Sequence, residues 1–288
     1  MRQGSPIKRD LRMSVMLRND YWMRVERLRR SLDIKYERLV YDALDEEIRR
    51  FVKDLLTYGV EGANNKLSTY LWNEEILKIL KDLYRECGAI FGNASYRAMR
   101  EMAKKAGDPY GLNSSFLEEM LDFFLNYGFW IASLITNTTK KRISKLLMIL
   151  VGEGKDRYQI AEEILNDKEL EKLKRRGAMI ARTEVMRASN YGLYLASTKH
   201  TFEVDKVWIA RRDSRTRRVP RDIFDHWDMD GQVKPLNEPF TSRDRLGRVI
   251  LADMPGDPKT PIGFTINCRC TVAFIPRRDN NNNIIQKR

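Results

Sequence analysis

The sequence predicts an α+β protein, with a mostly helical N-terminal region and a small α+β C-terminal domain whose short strands pack on a long helix. Three observations carry this. Apolar residues fall at helical spacing from residue 21 to 152. A run rich in small residues, 172–198, continues that period as one long helix. After His200 the period stops, and Gly, Pro and Asp punctuate short β-branched runs.

In order along the chain, Leu44, Ile48, Phe51, Val52, Leu55 and Leu56 form a first apolar stripe. Trp72, Ile76, Leu80, Leu83 and Tyr84 form a second. Leu117, Met120, Leu121, Phe124 and Leu125 form a third, preceded by the capping-type residues Asn113, Ser114 and Ser115. The segment 59–62, Gly88 and the segment 107–109 read as loops between stripes, and the aromatics here read as core. A turn at 152–154 precedes a short helix, 156–166, with Asp156 as its N-cap. The long helix 172–198 follows. Its inner stripe is Gly177, Ala181, Glu184, Ala188, Tyr191 and Leu195. Strands are predicted at 206–209, 249–251, 264–266 and 271–275. The expected organisation is a helical N-terminal domain (1–151), an α+β domain (152–278) and a disordered polar tail (279–288).

Composition narrows the function classes. With 42% hydrophobic and 32% charged residues the chain is foldable. Its longest apolar runs are interrupted by Asn126, Gly128 and Ser133, well short of the ~20 residues a membrane span needs. No secretory signal is read at the start, so folding in a cytoplasm is expected. Three cysteines do not describe a disulfide framework, and Cys87 reads as a buried small residue. Residues 171–288 hold 24 Lys and Arg against 14 Asp and Glu, and so carry most of the net charge of +13. A field of that sign suits a polyanion such as nucleic acid, or solubility alone.

The chemistry-bearing residues cluster late in the chain. Glu184 places a carboxylate on a small, apolar helix face, where burial demands a partner. The segment 211–221 carries six arginines. Arg215 and Arg217 are expected to turn inward to Asp213 and Glu184, while Arg211, Arg212, Arg218 and Arg221 face a nucleic-acid backbone. Cys268 and Cys270, two apart on a strand, share one face. With His226 they offer three ligands for a structural zinc, with Asp213, Asp257 or water as the fourth, or the thiols simply pack in a sheet. Asp230-Gly231 and Pro255-Gly256-Asp257-Pro258 are turn chemistry. No phosphate-binding glycine loop, nucleophile elbow or zinc-protease motif is present, and no catalytic residue is assigned.

Taken in order, Ala181-Arg182-Thr183-Glu184 with Asn190, Trp208, Asp213-Ser214-Arg215-Thr216-Arg217, His226, Asp230-Gly231-Gln232, the Pro255–Pro258 turn and Asn267-Cys268-Arg269-Cys270 resemble the Mu F-like head morphogenesis proteins, minor capsid proteins of tailed bacteriophages. The resemblance covers about 152–275, with residues 221–225 lengthening the gap before His226. It implies a low-copy virion component in the head interior or at the portal vertex, assembled in the host cytoplasm. Its implied partners are the portal protein, the major capsid or scaffolding protein and double-stranded DNA during packaging or ejection. The alternative is a virion-borne enzyme, a nuclease or an ADP-ribosyltransferase-like protein. Arg182, Thr183 and Glu184 superficially match the residue types of such a transferase, but they are adjacent on one helix and point in different directions.

Overall fold

The computed structural model describes residues 15–69, 74–103 and 114–287. Trp72, the 107–109 loop, Asn113 and the side chain of Ser114 lie outside them. The chain forms two compact units, each assembled from separated stretches. Among the described residues, the first takes 15–32, 83–103, 114–122 and 182–287, and the second takes 33–69, 74–82 and 123–181. No helix among them is long and apolar enough to cross a membrane.

The second unit is helical. Its core draws Ile48, Phe51, Val52 and Leu55 from α1 (Val15–Thr69), Ile143, Leu146, Leu147 and Leu150 from α4 (Ser114–Gly152), and Ile160 and Ile164 from α5 (Arg157–Asn166). Gly59, at φ +72, kinks α1 where the sequence predicts a loop. Asp156 caps α5 as expected: its side chain accepts from the Tyr158 and Gln159 N–H groups, and the Gln159 side chain returns the bond. The predicted long helix is divided at Arg176 into α6 (Lys168–Arg175) and α7 (Gly177–Thr198). There Gly177 approaches the backbone of α1 so closely that a Cβ would lie 3.1 Å from the Glu37 carbonyl. Not every predicted core residue is inside. Leu56, Leu125, Phe129 and Trp130 are exposed, the two aromatics by more than half.

The first unit holds the strands. The α2 helix (Glu74–Cys87) passes through a π-turn (Gly88–Gly92) into α3 (Asn93–Ala103). Gly88 therefore marks no loop. It stays helical beside Gly192 of α7, where a Cβ on Gly192 would meet the Gly88 Cα at 3.3 Å. An antiparallel sheet of order β2-β1-β5 joins Val233–Pro235, Val204–Ile209 and Thr271–Pro276, with Val207 opposite both Val233 and Ala273. A separate hairpin pairs β3 (Phe240–Arg243) with β4 (Val249–Ala252). The predicted strand at 264–266 is instead one helical turn, α8 (Ile262–Thr265).

Strand β1 is covered on both faces. Val207 and Ile209 pack with Ala273 and Trp22 of α1, while Trp208 meets Phe240, Phe264 and His226 on the other side. Each such fully buried large side chain contributes roughly 1.5–3 kcal/mol. Composition predicts no fixed structure in the polar stretch after 278. Local hydrogen bonds decide otherwise: the Asp279 carboxylate accepts from the Asn281 and Asn283 N–H groups. The backbone then pairs Ile285 with Glu203 and Arg277, and Lys287 with Thr201.

Candidate functional site

The polar residues of α7 are ties to two loops. Glu184 is buried, and its Oε2 accepts from the Tyr84 hydroxyl at 3.0 Å while Arg187 Nη1 stands 3.4 Å from Oε1. Neither Arg215 nor Arg217 reaches it. The sequence misses this pairing because Arg187 lies one helical turn away and Tyr84 on another helix. Burial pushes the Glu184 carboxyl up to about 8, against the stabilising Tyr84 hydrogen bond. Arg187 is itself desolvated and directs its other N–H groups to the Gly256 carbonyl at 2.7 Å and the Thr265 hydroxyl at 3.2 Å.

Thr183 accepts the Asn267 N–H at 2.8 Å, and Arg182 donates to the Asn267 side chain at 3.0 Å. Asn190 donates to the Pro255 and Cys270 carbonyls. Its own oxygen accepts from Thr271 and from Arg29 of α1. The motifs that stand apart in the sequence are thus one network. It seats the Pro255–Pro258 turn and the 267–270 segment on α7. Arg29, Tyr84 and Trp22, whose indole N–H donates to the Arg269 carbonyl at 2.8 Å, complete it from far upstream. Nothing in their local sequence marked them.

The arginine segment divides by role. Arg269 grips Asp213 through two bonds of 2.7 and 3.0 Å. Partial burial would raise the Asp213 carboxyl, but Arg269 and the N–H of Arg215 hold it at about 2. Arg215 is 74% exposed and meets Asp213 in a surface ion pair at 3.8 Å. Arg217 donates to the Ile266 carbonyl at 2.5 Å. Arg221 closes its own loop through the Ser214 and Thr216 carbonyls and Asp222, and Arg211 lies over the buried Trp22 ring. Of the four residues expected to face a polyanion, Arg212 and Arg218 are exposed and lie on Trp227, with Arg212 also 3.9 Å from the Asp230 carboxylate. Their guanidinium carbons stand 4.7 and 5.0 Å from the Trp227 ring centroid.

His226, Cys268 and Cys270 are buried and brought together, with their ligand-type atoms all within 4.8 Å of one another. His226 Nδ1 lies 3.4 Å from Cys268 Sγ and 3.5 Å from Cys270 Sγ. The Cys270 thiol and the facing His226 hold the Cys268 thiol well below the usual range, while its bond to Cys268 and burial push Cys270 up. A cavity of about 20 Å³ adjoins them, lined also by Arg211, Arg215, Thr216, Arg217, Asn267 and Arg269. Asp213 and Asp257, the carboxylates considered as further ligands, are instead engaged by Arg269 and by the Asp253 and Lys259 N–H groups.

Comparison with curated proteins and with solved structures returned no match. Residues 141–273 match the family described as Phage Mu protein F like protein. The matched stretch contains Glu184, Arg187, Asn190, the arginine segment, His226 and both cysteines, while Arg29 and Tyr84 lie outside it. The chain carries a Mu protein F-like region over residues 141–273, the family that its ordered motifs resemble.

Proposed function

We propose that this protein is a minor head component, placed at the portal vertex, whose first unit contacts packaged duplex DNA without reading its sequence. The observation that carries the DNA contact is the pair Arg212 and Arg218 flanking Trp227, with Arg215 exposed nearby. Guanidinium groups so placed suit phosphate oxygens, and the half-buried Trp227 ring holds both of them by cation–π contact. The +10 surplus of residues 171–288 adds a field of the same sign. Exposed Leu125, Phe129 and Trp130 on α4 supply an apolar helix surface for the portal or shell. The enzyme alternative finds less support. Arg182 and Thr183 are spent on Asn267, and Glu184 is enclosed by Tyr84 and Arg187.

Duplex binding measured against salt tests the DNA contact. Each phosphate contact contributes a log–log slope of about −0.9, so Arg212→Ala/Arg218→Ala is expected to flatten the slope by roughly 2. A slope unchanged in the double variant removes these residues from the interface.

A further inference from the structure

We propose that His226, Cys268 and Cys270 form a metal centre for a divalent cation of the zinc class, with a solvent molecule as fourth ligand. The two sulfurs and the ring nitrogen come from different parts of the fold. Cys268 and Cys270 stand on the segment entering β5, and His226 sits at the end of the arginine loop, where its N–H and that of Trp227 bond the Arg217 carbonyl. All three side chains are buried.

The two nitrogen–sulfur distances fit a tetrahedral ion. With metal–sulfur bonds of about 2.3 Å and metal–nitrogen bonds of about 2.0–2.1 Å, the N···S edges of a tetrahedron are about 3.5 Å long. The observed edges are 3.4 and 3.5 Å. A single S–H···N hydrogen bond accounts for only one of these two approaches. A neutral imidazole Nδ1 has one lone pair and accepts one S–H, whereas here two sulfurs approach it equally. A cation at the centre satisfies both sulfurs and the nitrogen at once.

A backbone donor and positive charge stand beside the two sulfurs. The Cys270 N–H points to Cys268 Sγ at 3.3 Å. Arg211, Arg215, Arg217 and Arg269 line the adjoining cavity. Positive charge of this kind stabilises thiolate, and two thiolates neutralise a divalent ion, so the arginines do not repel the loaded centre. The cavity, about 20 Å³, has room for roughly one water, which supplies the fourth ligand. The ion would pin the arginine loop to the sheet and so fix the segment bearing Arg212, Arg218 and Trp227. The assignment of the metal rests on none of the functional reading above.

The test is metal analysis of the purified full-length protein, joined to cobalt(II) titration of the metal-stripped protein. The expected result is one zinc per chain and, on cobalt addition, a thiolate-to-cobalt charge-transfer band. Cys268→Ser and His226→Gln should each weaken binding by at least about tenfold, the scale seen when even an outer-shell partner is lost. Cys87→Ser, remote from the cluster, should leave it unchanged. Should the serine variant fail to fold, the cobalt titration of the wild-type protein still decides. A folded wild-type protein that shows neither zinc nor the band overturns the proposal, as does full retention of metal by His226→Gln.

Discussion

Arg29 on α1 donates through Nη2 to the Asn190 side-chain oxygen at 2.8 Å, joining residues 161 positions apart. The same guanidinium reaches Ser189, Thr271 and the Cys270 carbonyl, all inside the fold. One buried cation therefore clamps α1, α7 and the start of β5 within the first unit. Arg29→Met keeps most of the volume but removes a charged donor from each of these acceptors, although Thr271 still serves Asn190 and Asn190 still serves the Cys270 carbonyl. The expected cost is about 2–4 kcal/mol of unfolding free energy, read by urea denaturation. A loss within experimental error of zero would show that the clamp is incidental.

Glu184 gives a pH signature. Its folded carboxyl titrates near 8, above the ordinary 4.5. Between those values the folded protein keeps a proton that the unfolded chain releases, so this contribution is complete below 4.5 and is lost as the pH rises toward 8. Glu184→Gln does not titrate and retains an acceptor for Tyr84. Relative to the variant, the wild-type protein should lose stability across that window, by at most about 1.4 kcal/mol per pH unit. Denaturation curves at several pH values check this, and a constant difference between the two proteins would contradict it.

Gly256 is held at φ +87 against α7, where a Cβ would lie 3.0 Å from the Arg187 Cα and 3.1 Å from the Met186 sulfur. Both the backbone conformation and the space exclude a side chain. Gly256→Ala should destabilise by about 1–3 kcal/mol. Gly247→Ala, at φ +81 with nothing near its Cβ, should cost less. Equal losses in the two variants would mean that the contact with α7 contributes nothing.

Much of this was legible in the sequence. Periodicity located the helices and the stripe of Ile48, Phe51, Val52 and Leu55, because core helices leave an apolar face whatever they pack on. The Asp156 cap was readable because its partners lie within three residues. The clustering of His226 with the two cysteines follows residue types that are scarce in this chain. The partners of Glu184 and Asn190 were not legible: Tyr84 and Arg29 are ordinary members of helical stripes until the fold brings them there. Strands β2 and β3 escaped because they are short and polar, and their order comes from pairing with neighbours. Phe129 and Trp130 misled in the opposite direction, since aromatic identity says nothing about which helix face is covered.

Ultraviolet cross-linking of purified, DNA-filled heads, followed by mass spectrometry of this protein's peptides, tests the functional account most directly. Nucleotide adducts are expected on the peptide carrying Trp227, whose ring Arg212 and Arg218 contact. A chain that is present in the heads with adducts nowhere on residues 211–227, or that is missing from the heads altogether, would contradict it.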